Sequence, residues 1–280
     1  MNLTHQLQVN VASTIVYVEH DKSSTIRIWD EPAGDSLSYD PSTGDGVLQS
    51  IQMMAFQANI SMLLRAELKS NGQPLPLPSD QYRVEVTIES TKSAAELPLI
   101  EVMKSVVDGL NKEIIANDRS VYECGIRYIA VRQTAKKYTS TPKDKLSVDV
   151  YSLHSTSTQP IVSFKSVPLN VVPKATPHLI DRENTLLLPL NTWLYQDDIA
   201  AGLSQDGMKI AGAGPYQVSM TFTGVSALSK DVDNMARTYL PILEQLGLSN
   251  NDLHYIRLRK KSSDHQQSNT LIVVQKVYAR

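Results

Sequence analysis

The second half of this chain repeats the order of patterns in its first half. The first half runs from a helical stretch, Val47 to Leu68, to an alternating strand, "YRVEVTIES", and an amphipathic helix, "PLIEVMKSVVDGLNKEI". Two strands close it, "SVYECGIRYIAVRQ" and "KLSVDVYSL". The second half reads "NTWLYQDDIAAGLS" as helix, with Asn191 or Thr192 as its cap, then "YQVSMTFTG" as strand. "VDNMARTYLPILEQLG" follows as helix, and "LHYIRLRKK" and "NTLIVVQKVY" as strands. Period-two alternation identifies the strands, and three- and four-residue apolar spacing the helices. Further strands are expected at Leu7 to Val18, "STIRIW" and "PIVSFKSVPLNVV". Two residue anchors share one spacing of 134: Tyr82 with Tyr216, and Asn117-Asp118 with Asn251-Asp252.

Two copies are too few for a stacked solenoid, and a fused two-fold dimer satisfies the repeat. The expected fold is therefore α+β, with two tandem units forming an intrachain pseudo-dimer. The units span 1–153 and 160–280, joined by the Ser/Thr-rich "HSTSTQP". Hydrophobic content of 41 % and charged content of 20 % suit a packed core. No apolar run reaches the ~18 residues of a membrane span, and the first residues lack a signal-peptide layout. The single Cys124 excludes an intrachain disulfide and fits a reducing compartment, so a soluble cytoplasmic protein is expected. A net charge of −2 argues against general coating of nucleic acid but allows a local basic stripe.

The stretch from Lys230 to Lys261 concentrates the chemistry. Asp231, Asp233 and Asn234 crowd a helix start, and Asp252 lies nineteen residues after Asp233 at the head of a strand. Arg257, Arg259, Lys260 and Lys261 follow. Acids before a helix serve as caps and favour the positive end of its dipole, but a cap does not require a third Asp at that distance. If helix and strand pack side by side, the three carboxylates converge. Oxygen ligands of that kind suit Mg²⁺, and the cationic strand would hold a nucleic-acid backbone. The six histidines have no ligand spacing, and no phosphate-binding loop or nucleophile elbow occurs. Arg127 to Lys145 is a second basic stretch, with Lys136 and Lys137 among its cations and Tyr128 and Tyr138 available to stack on bases.

"DVDN", an Arg three residues on, and "NND" after the helix resemble the RusA family of Holliday junction resolvases. Those are small homodimeric, Mg²⁺-dependent endonucleases acting on four-way DNA junctions, with a subunit about half this chain's length. The resemblance implies Asp231, Asp233 and Asp252 as metal-binding carboxylates and Asn234 as the family's Asn. Arg237 stands near the family's catalytic Lys, without its capacity as a proton donor. Asn251 replaces the first member of the family's paired acid, and Pro241 interrupts the helix. The first half keeps Lys104, Asp108, Leu110-Asn111 and Asp118 in family-like positions, but Pro98, Ile100 and Glu101 replace the opening motif. Each half thus lacks what the other keeps, and Lys104 would assist the second half.

The expected function is branched-DNA binding with Mg²⁺-dependent nicking or resolving activity in the second unit. The chain would act as a monomeric pseudo-dimer or as a dimer of chains. The alternatives are a catalytically inactive RusA-like DNA-binding module and a protein-interaction scaffold. The early acid pair separates the first from the enzyme, and steep salt dependence separates DNA binding from the second.

Overall fold

The computed structural model describes residues 14–20, 23–29, 33, 46–47, 51–78, 80–131, 144–168, 179–180, 186–187, 190–210, 212–262 and 267–277. In chain order the elements are β1 (Thr14–His20), β2 (Ser23–Trp29), β3 (Gly46–Val47), α1 (Ile51–Ser70), β4 (Tyr82–Ser90), α2 (Leu99–Leu110), β5 (Val121–Ala130), β6 (Lys145–Ser152) and β7 (Val162–Pro168). Then come β8 (Leu179–Ile180), β9 (Leu186–Leu187), α3 (Leu190–Gln205), β10 (Tyr216–Thr223), α4 (Val225–Ser229), α5 (Val232–Gln245), β11 (Leu253–Lys261) and β12 (Asn269–Lys276). The fold is α+β. Nine strands form one mixed sheet in the order β1-β2-β12-β10-β11-β5-β4-β6-β7, and β3, β8 and β9 form a small separate sheet.

Read outward from the central β11–β5 pair, the first strands on the two sides match, β10 and β12 with β4 and β6, and β1 at one edge has no counterpart. On each side a parallel pair, β4–β5 or β10–β11, is joined through a helix, α2 or α5, as parallel strands require a crossover. The next strand outward, β6 or β12, is antiparallel. The likeness extends to detail. Both parallel registers shift just after their tyrosine, Tyr82 or Tyr216. Each of those tyrosines donates its hydroxyl to the carbonyl four residues earlier, Pro78 or Gly212.

The second sequence anchor does not hold. Asp118 opens the 3₁₀ turn Asp118–Ser120 just before β5, and its counterpart opening Asn250–Asp252 before β11 is Asn250. Asp252 therefore corresponds to Ser120, because the second copy is two residues shorter between its tyrosine and its next strand. The outer strands also cross over: β2 pairs with β12, and β7 with β6.

Strand alternation divides the sheet into two faces. Val84, Val86, Ile88, Cys124, Ile126, Ile256 and Leu258 are buried, and the residues between them, such as Arg83, Glu85, Arg127 and Arg257, are half-buried or exposed. α2 and α5 lie against the central β5–β11 pair, with α1 packed on α2 and α3 on α5. α2 presents Val102, Met103, Val106 and Leu110 to the core, and α5 presents Met235, Ala236, Tyr239 and Leu243 at matching positions. α5 continues past Pro241, which lies within it. Helix α3 begins at Leu190, so Asn191 and Thr192 stand inside its first turn and not at its cap. Among the described residues no helix is long and apolar enough to cross a membrane.

Candidate functional site

The N-terminus of α5 meets α2 of the other half. Asp231 occupies the cap position in extended conformation, yet its side chain makes no capping hydrogen bond. Its Oδ2 instead accepts from Asn234 Nδ2 at 3.0 Å. Asp233 is only 1 % exposed, and its Oδ2 lies 3.2 Å from Lys104 Nζ. The Lys104 ammonium also donates to Asp108 Oδ1 at 3.1 Å and to Asn234 Oδ1 at 3.3 Å. Asp108 sits one helical turn after Lys104 and accepts from Gln57 Nε2 of α1 at 3.1 Å. Asp118 completes the cluster, holding Asn111 Nδ2 at 2.9 Å.

Four carboxylates here share the charges of Lys104 and the buried Lys260. Burial pushes Asp118 up to about 6, and the charges of Asp231 and Asp233 add to that shift. Burial raises Asp231 as well, reinforced by Asp233, and raises Asp108 against the pull of Lys104. For Lys104 burial is the largest influence and acts downward. Asp233 and Asp108 together outweigh it and hold the ammonium above the usual lysine range. Burial lowers Lys260 to about 8 despite the neighbouring Asp231, Asp233 and Asp118.

Two carboxylate oxygens in the cluster, Asp231 Oδ1 and Asp233 Oδ1, are buried without any hydrogen-bond partner. A buried, unpartnered charged oxygen is costly. This donor set suits a hard cation with oxygen ligands, so the residues fit Mg²⁺ chemically. Among the described residues, no three acidic, imidazole or thiol groups already stand at metal-binding spacing. The nearest cation to the acids is the Lys104 ammonium. A cleft of about 610 Å³ between α1 and α2 reaches the cluster, with Asp108 and Asn111 in its wall.

The expected convergence of Asp231, Asp233 and Asp252 is corrected. The first two are together and Asp252 is elsewhere. It packs on Gly214, where an added methyl would stand 2.5 Å from Asp252 Cβ, and its charge acts on Tyr216 and His254. The reason is topological. In a β-α-β unit the helix starts at the end of one strand and delivers the chain to the start of the next. Acids before and after α5 therefore lie at opposite ends of a helix of 14 residues, about 21 Å long. The antiparallel β5–β11 pairing instead brings the start of β5, and with it Asp118, to the end of β11. The third carboxylate thus comes from the other half, a contact that no local spacing in the sequence reveals.

The basic residues divide as well. Strand alternation puts Lys260 on the helix-covered face, 3 % exposed, so it is not an external contact for a nucleic-acid backbone. Arg257 and Arg259 are on the opposite, open face, where both pair with Glu123, at 3.7 and 2.7 Å. Lys261 is exposed at the end of the same strand. Lys104, expected to contact DNA, is instead the internal cation of the acid cluster. Arg237 pairs with Glu101 at 3.5 Å and not with an acid of its own helix. Asn234, also expected at DNA, bridges Asp231 and Lys104. Lys136 and Lys137 lie outside the described residues.

The pseudo-equivalent position in the other half has none of these acids. Pro98, Ile100, Pro241 and Asn250 stand where the cluster has Asp231, Asp233, Asp108 and Asp118. Arg237 with Glu101 takes the place of Lys104 with Asn234. The charged site therefore stands on one side of the central strand pair and has no charged equivalent at the matching position on the other. No family model matches the chain, and no curated protein or solved structure matches it.

Proposed function

We propose that this chain binds branched DNA and cuts it at a single divalent-cation site shared by its two halves. The units 1–153 and 160–280 act as an intrachain pseudo-dimer of RusA-like units that exchange their first strands. The observation carrying the reading is the pair of buried, partnerless oxygens on Asp231 and Asp233 beside Asp118. Asp231, Asp233 and Asp118 would hold Mg²⁺, which supplies charge neutralisation at a phosphodiester and an activated water. Lys104 fixes the orientation of Asp233, and Asn234 that of Asp231. Arg119, exposed and next to Asp118, offers a cation to the incoming phosphate. With one acid-bearing site, each bound chain makes one nick, and resolving a junction takes two chains or a second binding event.

Cleavage of four-way, forked and linear DNA in Mg²⁺, run beside Asp233→Asn, tests this. The expected result is cutting of branched substrates that the variant loses while binding persists. No cutting by the parent protein in any divalent metal overturns the enzyme reading. The second reading, a catalytically silent DNA-binding or interaction module of the same architecture, draws on Lys104: its ammonium lies 3.1 Å from Asp108 and 3.2 Å from Asp233, in the place a bound cation would compete for. DNA binding without cleavage favours it.

A further inference from the structure

Lys260 is a lysine inside the protein, and among the described residues its ammonium hydrogen-bonds no carboxylate. It donates to two main-chain carbonyls, Arg119 O at 2.5 Å and Lys230 O at 3.1 Å. Those carbonyls belong to the residue after Asp118 and the residue before Asp231. One ammonium thus ties together the two backbone segments, from different halves, that carry two of the acids. The ring of Tyr122 lies 4.8 Å from the same nitrogen.

The repeat supplies an internal comparison. Lys260 corresponds to Tyr128, and Tyr122 to His254, both at the acid-free site. There the Tyr128 hydroxyl donates to one carbonyl, Lys92 O, and its ring meets His254 edge-on at 5.1 Å. The two-carbonyl lysine therefore accompanies the acids, and an uncharged pair stands where they are missing. Burying an ammonium is costly, and core packing alone is met at the twin position by tyrosine.

We infer that Lys260 is a positioning residue: it sets the separation of Asp118 from Asp231 and so tunes the site for a divalent cation. The inference rests on the cation-site reading above and deepens it. Groups behind metal ligands typically change affinity by about 10–100-fold when removed.

Calorimetric titration of the full chain with Mn²⁺ alone tests it, comparing the parent with Lys260→Met, Lys260→Arg and Asp233→Asn, each with its thermal midpoint. The expected result is Mn²⁺ binding by the parent, loss with Asp233→Asn, and about 10–100-fold weaker binding with Lys260→Met. Lys260→Arg, which keeps charge and donors, restores part of the affinity. A purely structural role would lower the midpoint of Lys260→Met and leave the folded protein's affinity unchanged, and that outcome overturns the inference alone. If the methionine variant does not fold, Lys260→Gln, one atom shorter, carries the test, and parental affinity there overturns the inference equally. A parent that binds no Mn²⁺ overturns the cation site and the inference with it.

Discussion

Lys104 Nζ stands 3.2 Å from Asp233 Oδ2, joining α2 of the first half to α5 of the second. The lysine side chain is 13 % exposed and that of the aspartate 1 %. At this depth neither charge has water as a ready substitute, so the pair couples the stability of the junction to the chemistry of the site. It also answers why acids surround the start of α5. Asp231 holds the cap position without a capping hydrogen bond, and Asp233 meets a cation from the other half.

Removing Lys104 alone leaves buried carboxylates without their cation. Lys104→Met is expected to cost about 3–5 kcal/mol, measured by urea unfolding. The double variant Lys104→Met with Asp233→Asn should recover a good part of that. Equal losses in the single and double variants would show that the pair is not coupled.

Asp118 predicts a pH dependence. Its folded value near 6 is above the ordinary aspartate value near 3.9. Between these values the folded state binds more protons than the unfolded state, so this group lowers stability as pH rises from about 4 to about 6. Asp118→Asn should therefore stabilise the protein at pH 7, by on the order of 1 kcal/mol after solvent screening. The gain should vanish near pH 4. Thermal unfolding of both proteins across that range checks it, and a gain that persists at pH 4 would contradict it.

Tyr239 ties α5 to three other parts of the chain. Its hydroxyl accepts from Ala33 N at 2.9 Å and Thr270 Oγ1 at 3.1 Å, and lies 3.2 Å from the hydroxyl of Tyr195. The position is fully buried. Tyr239→Phe keeps the ring and strips these groups of their partner, at an expected cost of about 1–3 kcal/mol in denaturant unfolding. Val106 occupies the corresponding place in α2 without any polar contact of this kind, and Val106→Ala should lose stability through packing alone.

DNA binding should follow the helix-covered face. Arg119→Ala is expected to weaken binding of a four-way junction and to reduce the salt slope by about one. Arg257→Ala, on the open face and paired with Glu123, should leave both unchanged. Fluorescence anisotropy over a range of salt separates the two, and the opposite ranking would move the DNA to the open face.

The α+β class, most elements and their repetition are legible in the sequence, because alternation and helical spacing are local properties. α2, α5, β4, β5, β10 and β11 follow directly from them, and Tyr82 and Tyr216 mark equivalent points. The strands β3, β8 and β9, two residues each, are too short to leave a pattern. The coincidence of Asn117-Asp118 with Asn251-Asp252 misled because the second half is two residues shorter between its tyrosine and its next strand. Period two also separates Lys260 from Arg257 and Arg259, although the four cations read as one patch.

By itself the sequence determined that a similar order of elements recurs in the two halves, that acids open the helix of the second and not of the first, and that Lys104 lies in the first. Those facts depend on residue identity and near-neighbour spacing. Which carboxylates meet was decided by tertiary structure alone. A helix between two parallel strands holds its flanking acids at opposite ends, so Asp252 cannot join Asp231 and Asp233. The antiparallel contact of β5 with β11 brings in Asp118, Lys104 and Asp108 from more than a hundred residues away, and only the completed sheet specifies that contact.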